Sequence, residues 1–332
     1  MVKKYRIVLF VSVLAVLFIV PKSVSAQDKD VMGAYQRELS GLFSKVFTAQ
    51  TDNERYNANE QVVQLFANAL EQENAFYWKF DFGRQVSILT SSDRKFRVIT
   101  WPVVRDNGEY ECFGFVQSYN EKTEEFDVWV LNDKSDEIMN AEESVLGPDN
   151  WFGTVYQELI ETKFDGKEYY TLIGWSGVNN LVQRKVIEPI CFRSNTSKPQ
   201  FGQALFRREK NLRRVVFEYS RNAMVNVRYD DQFTRTVVNK KVKGKKGRIM
   251  NVQEAHDTKG KMIIFDELAP MLPGMEGLYH TYVPTGTELA YIFREGKWEL
   301  NNKAQGRSSD KSANKTYDKP LQKGAPAYKV ER

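Results

Sequence analysis

Short runs rich in Val, Ile, Phe, Tyr and Trp, separated by Asp, Asn and Gly turns between Phe76 and Leu300, predict a mainly β protein. Apolar residues at three- and four-residue steps ahead of that region predict a helical hairpin, and a lysine-rich stretch without apolar runs after Leu300 predicts a disordered basic tail. The expected fold is an antiparallel sandwich, barrel or propeller-like body with an N-terminal helical hairpin and that tail. Four segments follow: a leader at 1–26, the hairpin at 27–75, the β-rich body at 76–300 and the tail at 301–332.

The leader has the three parts of a secretory signal peptide. Lys3, Lys4 and Arg6 are its charged start, Ile7 to Val20 its apolar centre, and Val24-Ser25-Ala26 places small residues before a cut at Gln27. Pro21 ends the apolar run short of the ~20 residues that a bilayer span needs, so cleavage is expected and no transmembrane span after it. No cysteine follows the apolar run, which argues against a lipid anchor. The predicted location is the periplasm, with an extracellular or outer-membrane-peripheral position as the alternative.

In the hairpin, Met32, Tyr35, Leu39, Leu42, Phe43 and Val46 form one stripe of a first helix. Thr51-Asp52-Asn53-Glu54 reads as a capping box that opens a second helix, whose apolar face is Val62, Phe66, Ala69 and Leu70. Strands are then expected at 86–90, 96–101, 110–118, 126–131, 154–161, 169–175, 182–192, 215–219, 225–229, 262–265, 278–283 and 290–294. Asp106-Asn107-Gly108, Asp165-Gly166 and Glu295-Gly296 lie between such runs as hairpin turns, so antiparallel connections are expected. Lys95 to Trp101 echoes Tyr169 to Trp175 in pattern, but two copies do not establish a repeat.

The formal charge of +5 overstates how basic the folded part is. Lys3, Lys4, Arg6 and Lys22 leave with the leader, and the tail carries eight basic residues against three acidic ones, so the body is slightly acidic. Nucleic-acid binding is therefore not expected, since it needs a basic face on a folded domain. Lys240 to Arg248 holds six positive charges and two glycines and reads as a solvated loop. That loop and the tail could give only a weak, salt-sensitive contact with an anionic surface. Cys112 and Cys191, both in strand-like runs, are expected to be free, although export permits a bridge.

Tyr169 to Gly177, Phe201-Gly202, Arg214 to Ser220, Val227-Arg228-Tyr229-Asp230 and Ile263 to Pro270 resemble a group of exported proteins of Bacteroidota-type bacteria that have no known activity. The likeness covers about the second half of the chain after the leader. It implies an envelope location and a Gram-negative source, and it transfers no site residue.

Candidate chemistry is sparse. His256 and His280 have no metal-like partner at short spacing, and no cofactor or metal is expected. Ser176 in Gly174-Trp175-Ser176-Gly177 lacks the second glycine of a nucleophile turn and reads as the end of a strand. Asn132, Asp133, Ser135, Asp136 and Glu137 crowd oxygen ligands without the glycine of a calcium loop. Glu218, Asp230, Asp266 and Glu276, near strand ends, are the best pool for the paired carboxylates of a glycoside hydrolase. Trp151, after Gly147-Pro148-Asp149-Asn150, is the tryptophan most expected to be exposed as a sugar-stacking platform. The leading expectation is a non-enzymatic module that binds an envelope protein or a cell-surface polymer, with a carbohydrate-active enzyme as the alternative.

Overall fold

The structure, a computed structural model, describes residues 26–193, 196–207, 211–243 and 249–301. The leader up to residue 25, the tail from 302 and residues 244–248 of the basic segment lie outside the described residues. Helix α1 (Ala26–Thr48) and helix α2 (Asp52–Leu70) form the expected hairpin. Thr51 caps α2 in an extended conformation: its hydroxyl accepts from the Glu54 amide at 3.3 Å and donates to the Glu54 carboxylate at 3.0 Å.

Among the described residues thirteen strands follow in three sheets, all paired antiparallel and each built from consecutive sequence. The first holds β1 (Ser87–Thr90), β2 (Phe96–Val104), β3 (Tyr110–Asn120) and β4 (Glu125–Asn132) in that order. The second holds β5 (Val155–Phe164), β6 (Lys167–Gly177) and β7 (Val182–Phe192), with β8 (Pro199–Phe201) and β9 (Val215–Ser220) both pairing with β7. The third holds β10 (Val227–Lys243), β11 (Ile249–Pro270), β12 (Tyr282–Arg294) and β13 (Lys297–Asn301). The turns Asp165-Gly166 and Glu295-Gly296 have positive φ at both residues, the geometry that lets a two-residue loop follow the twist of its strands.

The elements stack as four layers, because successive side chains of a strand point to opposite faces. On β2, Ile99, Trp101 and Val103 face the helices and join Leu39, Phe43, Val62 and Phe66, while Phe96 and Val98 face the second sheet. On the second sheet, Leu172, Val186 and Ile190 meet the first, and Ile160, Ile173 and Ile187 meet Ile263, Phe265, Tyr291 and Trp298 of the third. The first and second sheets are thus covered on both faces, and their inner strands β2, β3 and β6 carry consecutive buried residues of both parities. The two strands of the internal echo, β2 and β6, are inner strands of these two sheets, and Phe96 meets Tyr170 edge-on at 4.9 Å.

Polar side chains of the first sheet seat the hairpin. Trp101 Nε1 donates to Asn59 Oδ1 at 2.8 Å, and Gln117 Nε2 donates to the Leu70 carbonyl at the end of α2 at 2.8 Å. Arg97 is 2% exposed and donates to the carbonyls of Ala75 and Trp78 at 3.0 and 3.1 Å, between the rings of Phe76 and Phe80. Burial pulls its guanidinium down to about 9.

Several expectations change. Among the described residues no closed barrel forms, because each sheet packs on its neighbour instead of on itself. The runs at 225–229 and 262–265 are ends of much longer strands: β10 continues through Lys240 to Lys243, opposite Ile249 to Val252, where a solvated loop was expected. Thr234, Thr236, Val237, Val238 and Val242 are β-branched, which favours extended backbone there despite the charge. The strand expected at 278–283 is a short 3₁₀ turn, Tyr279–Thr281, leading into β12. The sequence reading did not anticipate the short edge strands β8 and β13. Both cysteines are free, Cys112 buried and Cys191 half-buried.

Candidate functional site

At one end of the interface between the first and second sheets the layers part to leave a polar cleft of about 360 Å³. The β2–β3 hairpin supplies Arg105, Glu109, Tyr110 and Glu111 to its wall, and the segment after β4 supplies Asp133 to Glu137. The floor comes from the second sheet: Ser176 and Gly177 at the end of β6, Asn179 in the turn, and Arg184 on β7. Ser176 and Arg184 are register partners, so the β6–β7 hairpin places them side by side.

Arg184 shares its face of β7 with Val186, Glu188 and Ile190, and that face meets the first sheet. It is 8% exposed, lies over the Phe152 ring at 4.9 Å, and ion-pairs with Glu218 Oε1 at 3.4 Å. Its Nε is buried without a hydrogen-bond partner. Deeper along the same face is a buried network, in which Arg214 Nη2 has no hydrogen-bond partner. Arg214 Nε meets Glu188 Oε1 at 2.5 Å, Tyr156 donates its hydroxyl to Glu188 Oε2, and Trp151 Nε1 donates to the Tyr156 oxygen at 2.9 Å. All four of these side chains are fully buried.

Across the cleft the charges are held in place. Arg105 donates to Glu111 and to the Tyr56 oxygen, both at 3.0 Å, and ion-pairs with Glu109 at 3.6 Å. Tyr56 in turn donates to Glu111 at 2.8 Å, and burial first, then Glu111, pushes its hydroxyl up to about 12. Asp133 accepts from the Cys112 amide at 2.9 Å, from the Ser135 amide at 3.0 Å and from the Ser135 hydroxyl. Lys134 pairs with Glu137 at 2.7 Å. The Cys112 thiol lies 4.0 Å from Ser176 Oγ, and burial, helped by Asp133, pushes its pKa well above the ordinary thiol range. A thiol so shifted stays protonated and is a poor nucleophile.

A second groove of about 470 Å³ lies against α2 and shares Glu111, Asp133 and Lys134 with the first. A trough of about 840 Å³ at another part of the same interface includes Lys95, Lys167 and Arg193 with Asp93, whose carboxylate accepts from the Tyr170 hydroxyl at 2.6 Å.

The four carboxylates expected as a catalytic pool do not converge on any of these three cavities. Glu218 on β9 pairs with Arg184; Asp230 on β10 accepts from the Asp231 amide at 2.7 Å; Asp266 on β11 accepts from the Asn226 amide at 2.8 Å; and Glu276 lies in an exposed loop. Trp151 is not an exposed platform: it is 0% exposed, because its backbone bridges Asp133 and its indole enters the network behind the cleft. His280 is exposed in the 3₁₀ turn, and His256 occupies β11 opposite Thr236. Ser176 ends β6, as the sequence suggested, and no helix follows it. Asp133, Ser135, Asp136 and Glu137 do share the cleft. No group of three or more His, Cys, Asp or Glu among the described residues is arranged to hold a metal ion.

Sequence reasoning missed Arg184 and Glu188, though a signal was present. Both fall on the same parity as Val182, Val186 and Ile190, so two opposite charges sit on what reads as an inward face. Comparisons with family models, with curated proteins and with solved structures found no match to this chain.

Proposed function

We propose that the protein is a non-enzymatic binding module of the bacterial envelope, exported to the periplasm and directed at an envelope protein or a cell-surface polymer. The observation that carries this reading is the cleft between the first two sheets. Its walls hold fixed charges of both signs, and the candidate carboxylates Glu218, Asp230 and Asp266 lie outside its lining and have local partners. Such preorganised polar groups favour recognition, since their hydrogen-bonding directions are set before a partner arrives. The glycoside hydrolase reading would need two carboxylates across one cleft, and the placement of Glu218, Asp230, Asp266 and Glu276 lends it no support.

The test is recovery of a partner from periplasmic and outer-membrane fractions with tagged protein, followed by the same experiment with Arg105→Ala, which removes a cleft wall. Export is checked on the same material. A mature N-terminus at Gln27 is expected, and one at Met1 would sink the proposed location.

A further inference from the structure

Part of the segment expected as a solvated loop is instead the end of a paired ribbon, and pairing sorts its residues onto two faces. β10 and β11 stay in register from Gln232–Gly260 to Lys243–Ile249, while β12 backs β11 only from Met262 onward. At about 3.3 Å per residue the ribbon runs on for roughly 36 Å past the part of its sheet that β12 backs. Directly opposed residues share a face, and the face alternates at each step.

The far end therefore has two unlike faces. One takes the positions Val242–Met250, Lys240–Val252 and Val238–Glu254, and the other takes Lys243–Ile249, Lys241–Asn251 and Asn239–Gln253. The first face is apolar at all positions but Lys240 and Glu254; the second is polar or cationic at all but Ile249. Glu254 is the one acidic residue in 238–243 and 249–254, against Lys240, Lys241 and Lys243, and it marks the body end of the apolar patch. Among the described residues no third strand pairs with this stretch. A two-stranded ribbon alone in water is marginal, so a surface that covers its apolar face steadies it.

Three kinds of surface answer some of this pattern. A soluble polyanion meets the lysines but leaves the apolar face in water. A second copy of the ribbon covers that face but buries Lys240 with it. An anionic bilayer answers both features: the valines and Met250 enter the boundary between headgroups and acyl chains, and the four-carbon stem of Lys240 lets its ammonium reach the headgroups. Lys241 and Lys243, on the outer face, remain in the field of the phosphates, which extends over a Debye length of about 8 Å.

We infer that the far end of the β10–β11 ribbon, at 238–243 and 249–254, rests on an anionic bilayer with its apolar face down. This contact is separate from the cleft and from whatever partner the cleft takes. The full mature chain is sedimented at physiological salt with vesicles of phosphatidylglycerol and phosphatidylcholine in equal parts, beside vesicles of phosphatidylcholine alone. Binding at least about tenfold tighter to the mixed vesicles is expected. Lys240→Gln with Lys241→Gln and Lys243→Gln is expected to weaken it at least about tenfold. Val242→Thr with Val252→Thr, which keeps the β-branched shape, is expected to weaken it at least about fivefold. Ile249→Thr, on the other face, is expected to leave it within about twofold of the parent.

Equal binding to both kinds of vesicle, or to neither, overturns the inference; the lysines then only guard the sheet edge against strand addition. Parental binding by the lysine triple assigns the contact to the basic tail and overturns it too. Parental binding by the valine pair, or an equal loss with Ile249→Thr, takes the apolar face out of the contact and does the same. A dimer that the valine pair dissolves, without vesicle binding, puts a second copy on the face instead. The lysine and valine variants are independent, so either one that keeps the parental melting temperature decides the matter. None of these outcomes touches the reading of the cleft.

Discussion

Tyr156 shows how much depends on single buried atoms. Its hydroxyl is the link between the Trp151 indole and the Glu188 carboxylate, with Arg214 on the other side. Tyr156→Phe keeps the ring, which stacks on Phe201 at 6.2 Å, and removes only that link. The expected loss is about 1–3 kcal/mol, the penalty for leaving buried polar partners unsatisfied. Glu188→Gln should cost more, about 3–5 kcal/mol, because it leaves the Arg214 charge buried without a counter-charge. Urea denaturation with an unchanged m-value would read both, and a Glu188→Gln loss smaller than that of Tyr156→Phe would contradict the assignment. Asp93 makes a pH-dependent contact between the first two sheets. Burial raises its pKa, but hydrogen bonds from Ser91, Tyr170 and the Lys95 amide outweigh that and lower it overall. A carboxylate depressed in the folded state contributes stability above its unfolded value of about 3.9 and loses it as pH falls through the folded value. Asp93→Asn should therefore cost stability at neutral pH and flatten the decline below about pH 4; parallel acid titrations of the two proteins would mean that the Tyr170 contact is thermodynamically silent.

Among the elements, the helical hairpin is the clearest case of a stripe that needs a receiving surface. Leu39 is 0% exposed and belongs to the cluster that holds Phe43, Phe66 and Trp101. Leu39→Ala should cost about 2–5 kcal/mol through the cavity it leaves, and Leu39→Asp more, since it also buries a charge. Thermal melts check this, and a variant as stable as the parent would make the stripe a docking surface instead of core. The hairpin, the Thr51 cap and most strands were legible in the sequence, because their signals are local: a helical period, a capping pair, a turn glycine. The length of β10 and β11 was not, because Lys240 to Lys243 carry a charge pattern that reads as solvated, and pairing across a hairpin is decided by the partner strand. β8, of three residues, is below what periodicity can resolve. The cleft was half legible. Asp133 to Glu137 stood out as a crowd of oxygen ligands, but Arg105 nears them through the strand order of the first sheet, and Arg184 meets them only because the second sheet stacks on the first.

At the scale of the whole molecule, the order of the layers repeats the order of the chain. Each sheet is complete before the next begins, at 87–132, 155–220 and 227–301, and the three larger apolar cores each join layers that are neighbours in sequence. Among the described residues, the second sheet is the one packed between two other sheets. Water cannot reach its β6 amides by loosening one surface, since both faces are covered and both edges of the strand are paired with β5 and β7. Backbone groups in that setting exchange hydrogen only when the whole domain opens, whereas strands with a free flank exchange through local fraying. β10 and β11 supply the contrast, because between Gln232 and Lys243 they pair with each other alone. In deuterated buffer the amides of Leu172 and Ile173 should thus be labelled last, at a rate set by global stability, and slowed or quickened by every substitution above that changes it. Labelling of β6 as early as the far part of the β10–β11 ribbon would mean that the stack comes apart layer by layer, with the second sheet released before the rest unfolds.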